Sequence, residues 1–227
     1  MLLMLRVPVV QATERTDFSA AFPDPQRFTD DIAAFAAADS VSPPPTGATL
    51  CIGSSSLRMW QPTMAADLAP LTVIPRGFGG STMYDVLHYS SRIVLPYRPK
   101  TILLYEGDND IDFGISPARF MNLFDDFTAL VHERLPRTRL YVLSIKPCPF
   151  RWHLWPRMQQ TNRLLRAACD DDPLSTYIDV ATPMLGADGR PLPHIFLEDD
   201  LHMNAAGYEI WARTVKPILA EKGGPGD

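Results

Sequence analysis

Five short apolar segments recur along the chain, and each is followed by a polar cluster and then by a helical pattern. They lie at residues 48–52, 71–74, 101–105, 140–145 and 177–180. Their apolar residues run continuously instead of alternating, which is typical of parallel strands buried on both faces. This order predicts an α/β fold in which a five-stranded parallel sheet lies between two layers of helices.

The helix signals between these segments differ in strength. Ser116 followed by Pro117 is a typical helix start, and the apolar residues after it recur at helical spacing. Thr29 is a candidate N-cap of an earlier helix. The pattern at residues 57–68 contains Pro62 and therefore predicts two short pieces with a kink or break. Other helices are expected at about residues 83–93, 158–169 and 205–219.

Polar clusters follow all five predicted strands. They lie at residues 53–56, 77–82, 106–112, 146–155 and 199–202. The carboxyl ends of parallel strands meet at one edge of a sheet, where open α/β sheets bind their ligands. We therefore expect these five clusters to converge on one site.

The first cluster is Gly53-Ser54-Ser55-Ser56, a small-residue turn between a strand and a helix. Such a turn can present a serine beside the unpaired N–H groups of a helix start, which suits a nucleophile for acyl transfer. The same residues are common in turns and at helix N-caps. Alone, this cluster does not distinguish catalysis from turn formation.

The last cluster supplies a candidate base. Asp199 and His202 are three residues apart at the entry to a helix. At that spacing the carboxylate can bind one imidazole nitrogen and leave the other facing Ser55. An Asp-x-x-His pair is weak by itself, since most histidines are solvated or structural.

The cluster at residues 106–112 allows several interpretations. A calcium-binding loop is excluded, because such a loop needs glycine and glutamate at the positions that Phe113 and Arg119 occupy. Asp108 could act as a nucleophile in phosphoryl chemistry, although no lysine-bearing phosphate loop accompanies it. Asn109 could donate its amide to a developing oxyanion, oriented by Asp110. These residues could also be ordinary turn formers.

The two remaining clusters contain one candidate oxyanion donor and one alternative nucleophile. Residues 77–82 match a dinucleotide fingerprint only in part, because Thr82 replaces its last glycine. Gly80 there allows an N–H to approach a ligand oxygen and is a candidate oxyanion donor. Cys148, near His153, is a competing nucleophile, but prolines enclose it and no oxyanion donor adjoins it.

The net charge and composition limit which classes of partner and which cellular location we expect. The formal charge is −5 with a pI near 5.5, which gives no electrostatic reason to expect nucleic acid or an anionic membrane. No apolar run approaches the roughly 18 residues of a membrane span. The three scattered cysteines predict reduced thiols, and residues 1–10 form a poor signal peptide, so we expect a cytoplasmic location.

Four blocks in this order resemble those of the SGNH (GDSL-like) hydrolase family. They are Gly53-Ser54-Ser55, Gly80 within Gly79-Gly80-Ser81-Thr82, Gly107-Asp108-Asn109-Asp110 and Asp199-Asp200-Leu201-His202. Together they span residues 50–220. The family's usual aspartate before the nucleophile is Ser54 here, so the chain is similar to the branch of platelet-activating-factor acetylhydrolases.

The resemblance implies a flavodoxin-like three-layer fold and a set of roles. Ser55 would be the nucleophile, His202 the general base and Asp199 its orienting carboxylate. The backbone N–H groups of Ser55 and Gly80 and the amide of Asn109 would donate to the oxyanion. No metal or cofactor is required.

The function expected from the residues and the resemblance is hydrolysis of small acyl or acetyl esters through an acyl-enzyme. Two alternatives remain open, namely a non-catalytic ligand-binding module on the same fold and, with less support, a phosphatase using Asp108. Five residues are candidates for a substrate rim, and the aromatic ones could equally be ordinary packing: Arg58, Arg76, Trp152, His153 and Trp155.

The domain expectation is an N-terminal extension with a helix at residues 1–47, a hydrolase domain at 48–220 and a flexible tail at 221–227. The apolar start of the extension could bury against a second copy, which would give a homodimer. A small-molecule ester is the expected partner.

Overall fold

A computed structural model describes residues 21–222 as alternating strands and helices. The strands are β1 (Thr49–Gly53), β2 (Val73–Gly77), β3 (Thr101–Tyr105), β4 (Arg139–Leu143) and β5 (Ser175–Ile178). The helices are α1 (Thr29–Val41), α2 (Ser55–Asp67), α3 (Met83–Ile93), α4 (Asp108–Asp112), α5 (Pro117–Arg134), α6 (Trp155–Asp171) and α7 (Ala205–Lys222). The apolar start of the N-terminal extension, at residues 1–10, and residues 223–227 of the predicted tail lie outside the described residues.

The five strands form one parallel sheet in the order β2-β1-β3-β4-β5. The chain starts in β1, adds β2 on one side and then moves to β3 on the other. That reversal between β1 and β3 is the kind of point at which doubly wound sheets bind ligands. The predicted flavodoxin-like three-layer fold is confirmed.

Alternate residues of each strand face opposite layers of helices. Leu50 and Ile52 of β1 pack with α1, α3, α5 and α6, whereas Cys51 between them packs with α2 and α7. All five residues of β1 are buried, as expected for a strand covered on both faces. Because both faces are closed by helices, the loops at the strand ends are left to form a site.

Two helix predictions were wrong. Helix α2 is one continuous helix despite Pro62. Pro62 lies on the exposed side, so the carbonyl that loses its partner can face water, while Leu57, Trp60 and Met64 hold the inner side in the core. Thr29 does not cap α1, because a 3₁₀ turn at Pro25–Phe28 runs directly into the helix.

The segment before β1 packs against the sheet domain. Phe28 and Ile32 are buried in the core, and the Phe28 ring meets Phe78 edge to face with 5.0 Å between centroids. The Arg27 guanidinium pairs with buried Asp85 at 2.5 Å. Residues 25–41 therefore share the core of the domain that follows.

Candidate active site

The turn after β1 owes its shape to Gly53. Its φ is 149°, and a Cβ atom on it would lie 2.0 Å from the carbonyl oxygen of Tyr105 in β3. Only glycine allows the strand backbones to approach this closely while the chain turns. The Ser54 N–H donates to that same carbonyl at 3.2 Å, and Ser55 becomes the first residue of α2.

Ser55, His202 and Asp199 form a continuous hydrogen-bonded chain. The Nε2 atom of His202 is 3.0 Å from Ser55 Oγ, and its Nδ1 atom is 2.6 Å from Asp199 Oδ2. The other oxygen, Asp199 Oδ1, accepts the backbone N–H groups of Leu201 and His202 at 3.0 and 2.9 Å. The imidazole is therefore fixed at both nitrogens, with one of them directed at the serine.

The Asp199 carboxyl has a strongly lowered pKa. Desolvation works against this shift, but hydrogen bonds from the His202 ring and from the N–H groups of His202 and Leu201 outweigh it and lower the pKa to about 2. Asp199 is consequently an anion beside the imidazole over the whole range of neutral pH. A fixed anion at Nδ1 favours the imidazolium form that arises when Nε2 takes a proton.

The loop that carries Gly80 is hydrogen-bonded to Asn109 in α4. Gly80 has a φ of 86°, and no atom lies within 4 Å of the position that its Cβ would occupy, so its backbone borders open space. The Asn109 amide Nδ2 donates to the carbonyl oxygen of Ser81 at 2.9 Å. Because Ser55 begins a helix, its N–H has no acceptor within α2.

Asp110 does not orient Asn109, contrary to the sequence-based interpretation. Its carboxylate accepts the N–H of Met83 at 3.0 Å and so ties α4 to the start of α3. Asn109 is instead held through its oxygen by Arg151, whose Nη1 donates to Oδ1 at 3.0 Å. Sequence reasoning missed Arg151, since no local motif marks it.

Two buried carboxyl groups lie under this site. Burial raises the pKa of Asp110 to about 7 and raises the pKa of Glu106 well above its ordinary range. Ser81 Oγ donates to Glu106 Oε1 at 2.5 Å. Residues 106 and 109 thus bind the loop that carries Gly80 at Ser81, and residue 110 binds the start of α3 just after it.

Asp108 is enclosed and is poorly placed to be a nucleophile. It is 2% exposed, and its Oδ1 accepts the N–H of Asn109 at 2.9 Å. Its Oδ2 lies 3.8 Å from Lys146 Nζ and 3.5 Å from Arg151 Nη1. Ser54, at the position of the family's usual aspartate, has its Oγ 3.5 Å from Asp108 Oδ1.

Cys148 is also unsuited to nucleophilic attack. It is 2% exposed, and burial raises the pKa of its thiol. The other two cysteines are buried as well, and none of the three is in a disulfide.

The candidate rim residues separate into three groups. Arg58 is exposed and lies against Gly79, next to Gly80, and His153 is exposed beside a half-buried Trp152. Trp155 is 7% exposed and packs in a small core with Met158 and others, so it is a packing residue. The remaining candidate, Arg76, lies away from the rim and contacts Asp39 and Tyr97.

Arg76 is not brought to the rim. Its side chain is 8% exposed and turns toward α1, where it pairs with Asp39 and donates to the Tyr97 hydroxyl at 2.7 Å. Arg76 lies opposite Ile52 in the β1–β2 register, and Ile52 faces the layer of α1 and α3. The strand pleat therefore directs this arginine away from Ser55.

The five strand-end clusters do converge. Ser55 contacts His202, Ser81 contacts Asn109, and Asn109 contacts Arg151. The N–H of Phe150 donates to the carbonyl of Asp200 at 3.0 Å, and the N–H of Phe78 donates to the carbonyl of Gly53 at 2.9 Å, so the contacts between the clusters form a closed ring. The predicted site at the carboxyl edge of the sheet is present.

A family model described as GDSL-like lipase/acylhydrolase matches residues 45–210. The chain belongs to this family. The match contains every strand and all of the site residues described above. No curated protein matches the chain by sequence.

Solved structures of low identity share the fold of this GDSL-like protein. A Streptococcus pneumoniae protein provisionally described as a platelet activating factor superposes with a TM-score of 0.75 at 18% identity, over 84% of this chain and 92% of the other. A GDSL-like lipase from Bacteroides thetaiotaomicron gives 0.74 at 17% identity, over 84% and 98%. An acetyl-xylooligosaccharide esterase variant from Geobacillus gives 0.61 at 17% identity, over 79% and 96%.

Two further observations concern the part of the chain that the structure describes. Among residues 21–222, no helix is long and apolar enough to cross a membrane. In the same part of the chain, no group of three or more His, Cys, Asp or Glu side chains is arranged to hold a metal ion.

Proposed function

We propose that this GDSL-like acylhydrolase is a serine esterase that cleaves small acyl esters through an acyl-enzyme. The observation that carries the proposal is the pair of hydrogen bonds made by His202. Its Nδ1 is 2.6 Å from Asp199 Oδ2, and its Nε2 is 3.0 Å from Ser55 Oγ. A base within hydrogen-bond reach of the nucleophile, itself oriented by a third group, is the arrangement that activates serine.

The first half-reaction transfers the acyl group to Ser55. Its Oγ attacks the ester carbonyl while Nε2 of His202 takes the hydroxyl proton. The negative charge on the carbonyl oxygen is met by the N–H groups of Ser55 and Gly80 and by the second Nδ2 hydrogen of Asn109. The intermediate collapses, and His202 returns the proton to the departing alcohol.

The second half-reaction releases the acid. Water approaches the acyl-Ser55 carbonyl, gives a proton to His202 Nε2 and forms a second tetrahedral intermediate. Its collapse frees the carboxylic acid and returns the proton to Ser55 Oγ. Asp199, ionised throughout, stabilises the imidazolium of each half-reaction.

Acetyl or other short acyl groups are the proposed substrates. The fold shared with an acetyl-xylooligosaccharide esterase supports the acetyl group, at an identity of only 17%. Arg58, Trp152 and His153 are the proposed rim residues, because they are the candidates that lie at the surface near the strand ends. A panel of p-nitrophenyl esters of graded chain length, with acetylated sugars, measures this preference by kcat/KM.

The test of the reaction is hydrolysis of p-nitrophenyl acetate by Ser55→Ala. We expect activity to fall to background with an unchanged thermal transition. Ser56→Ala, at the next position of the same turn, is the matched control and should stay within a few-fold of wild type. Full activity in Ser55→Ala would overturn the assignment.

A further inference from the structure

Arg151 lies directly behind the amide of Asn109. Its side chain is 9% exposed, and its Nη1 donates to Asn109 Oδ1 at 3.0 Å. Its Nη2 donates to Asp112 Oδ2 at 2.8 Å. One planar guanidinium therefore bonds the second and the last residue of α4, the short helix that carries Asn109.

The amide of Asn109 is fixed at both ends. Its oxygen faces a cation, and its nitrogen donates to the carbonyl oxygen of Ser81 at 2.9 Å. A flipped amide would place oxygen against the Ser81 carbonyl and NH₂ against the guanidinium, so both contacts would become repulsive. With one Nδ2 hydrogen bound to Ser81, the second hydrogen is left for a ligand.

The charges around Arg151 hold it in place. Asp112 binds one side of the fork, and Asp108 Oδ2 lies 3.5 Å from Nη1. Asp108 in turn lies 3.8 Å from the buried ammonium of Lys146. Arg151, Asp108 and Lys146 are buried, whereas Asp112 is exposed. Because buried charges are stable only when paired, the three buried charges resist rearrangement.

We propose that Arg151 is a positioning residue for the oxyanion amide. It holds Asn109 with Nδ2–H toward the reacting carbonyl oxygen, and its charge on Oδ1 polarises the amide so that Nδ2–H is a stronger donor. A lysine would not do the same, since an ammonium lacks the rigid fork that reaches Asn109 and Asp112 together. This inference rests on the proposed esterase function.

A double-mutant cycle tests whether Arg151 acts through Asn109. The four proteins are wild type, Arg151→Met, Asn109→Ala and the double variant, assayed for kcat and KM on p-nitrophenyl acetate. We expect Arg151→Met to lower kcat about 10-fold and to change KM less than about twofold, because Ser81 still holds part of the amide. In the Asn109→Ala background the same change should lower kcat less than about twofold. Equal losses in both backgrounds would overturn the proposal.

A matched buried arginine controls for general damage. Arg76→Met removes a guanidinium that is equally buried and paired with Asp39, but that has no bond to Asn109. It should lower the melting temperature and leave kcat unchanged. If Arg151→Met does not fold, Arg151→Lys replaces it in the same cycle, with an expected loss in kcat of about 3- to 10-fold that vanishes without Asn109. No loss, or the same loss in both backgrounds, contradicts the proposal.

The two proposals fail in different ways. An inactive wild-type protein, or a fully active Ser55→Ala, removes the esterase function itself. An active wild type that loses turnover in Ser55→Ala and Asn109→Ala, with no coupling between Arg151 and Asn109, removes only the role of Arg151.

Discussion

Lys146→Met should destabilise the protein strongly, because Lys146 is a buried cation with two partners. Its side chain is 1% exposed, its Nζ donates to the carbonyl oxygen of Leu201 at 2.9 Å, and Asp108 Oδ2 lies 3.8 Å away. Methionine fills a similar volume but offers neither charge nor donor. The change therefore removes two interactions and leaves the shape of the site nearly intact.

The expected loss follows from what is left behind. Removing one partner of a buried ion pair costs about 3–5 kcal/mol, because the other charge stays buried. Asp108 keeps Arg151 at 3.5 Å, which favours the lower half of that range, while the orphaned Leu201 carbonyl adds about 1–3 kcal/mol. The two terms together amount to about 4–7 kcal/mol, and we expect a total of about 5 kcal/mol. At roughly 2–4 °C per kcal/mol for a chain of this size, the melting temperature should fall by about 10–20 °C.

Calorimetry and urea titration measure this loss, and the kinetics report a second consequence. Leu201 precedes His202, so a released carbonyl loosens the loop that carries the base, and kcat should fall together with stability. Arg166→Met is the control, since its half-exposed ion pair with Asp179 at 3.4 Å should contribute less than about 1 kcal/mol. A loss in Lys146→Met no larger than in this control would refute the assigned role of the buried ammonium.

Three further results are expected. Asp199→Asn should lower kcat by about 10²- to 10⁴-fold with little change in KM, since it removes the anion that fixes the imidazole; steady-state kinetics measure it, and unchanged turnover would contradict it. Burial raises the pKa of Asp110 to about 7 in the folded protein, whereas an aspartate in the unfolded chain loses its proton at about pH 4. The stabilising effect of the protonated group is therefore full below about pH 4 and is lost as the pH rises through 7. The melting temperature should therefore drop between pH 5 and pH 8, and less so in Asp110→Asn; equal drops would count against it. The three buried cysteines should react with a disulfide reagent far more slowly in the native protein than in denaturant, as followed by absorbance, and rapid native reaction would be inconsistent with their burial.

The parts of the site that could be predicted from the sequence are those for which local spacing decides the geometry. Asp199 and His202 are three residues apart, and the turn at Gly53 leads directly into a helix. Placing both after strands brings them to one edge, so the predicted contact between Ser55 and His202 follows from the topology together with the spacing of Asp199 and His202. The same logic predicted the layers, because continuous apolar strands require cover on both faces.

The parts that could not be predicted depend on where side chains point. Arg151 reaches Asn109 across 42 residues of sequence, and no spacing rule links the ends of β3 and β4. Arg76 lies inside β2, one residue before the strand ends, and the pleat turns its side chain to Asp39. Pro62 breaks a helix by local rules, yet the packing of Trp60 and Met64 outweighs the lost hydrogen bond.

Labelling with a fluorophosphonate, located by mass spectrometry of peptides, tests the central claim most directly. The expected result is a single adduct on Ser55 that is absent from Ser55→Ala and slow to form in His202→Ala. A native protein that forms no adduct would instead support a ligand-binding module, and an adduct on any other residue would contradict the assignment of Ser55 as the nucleophile.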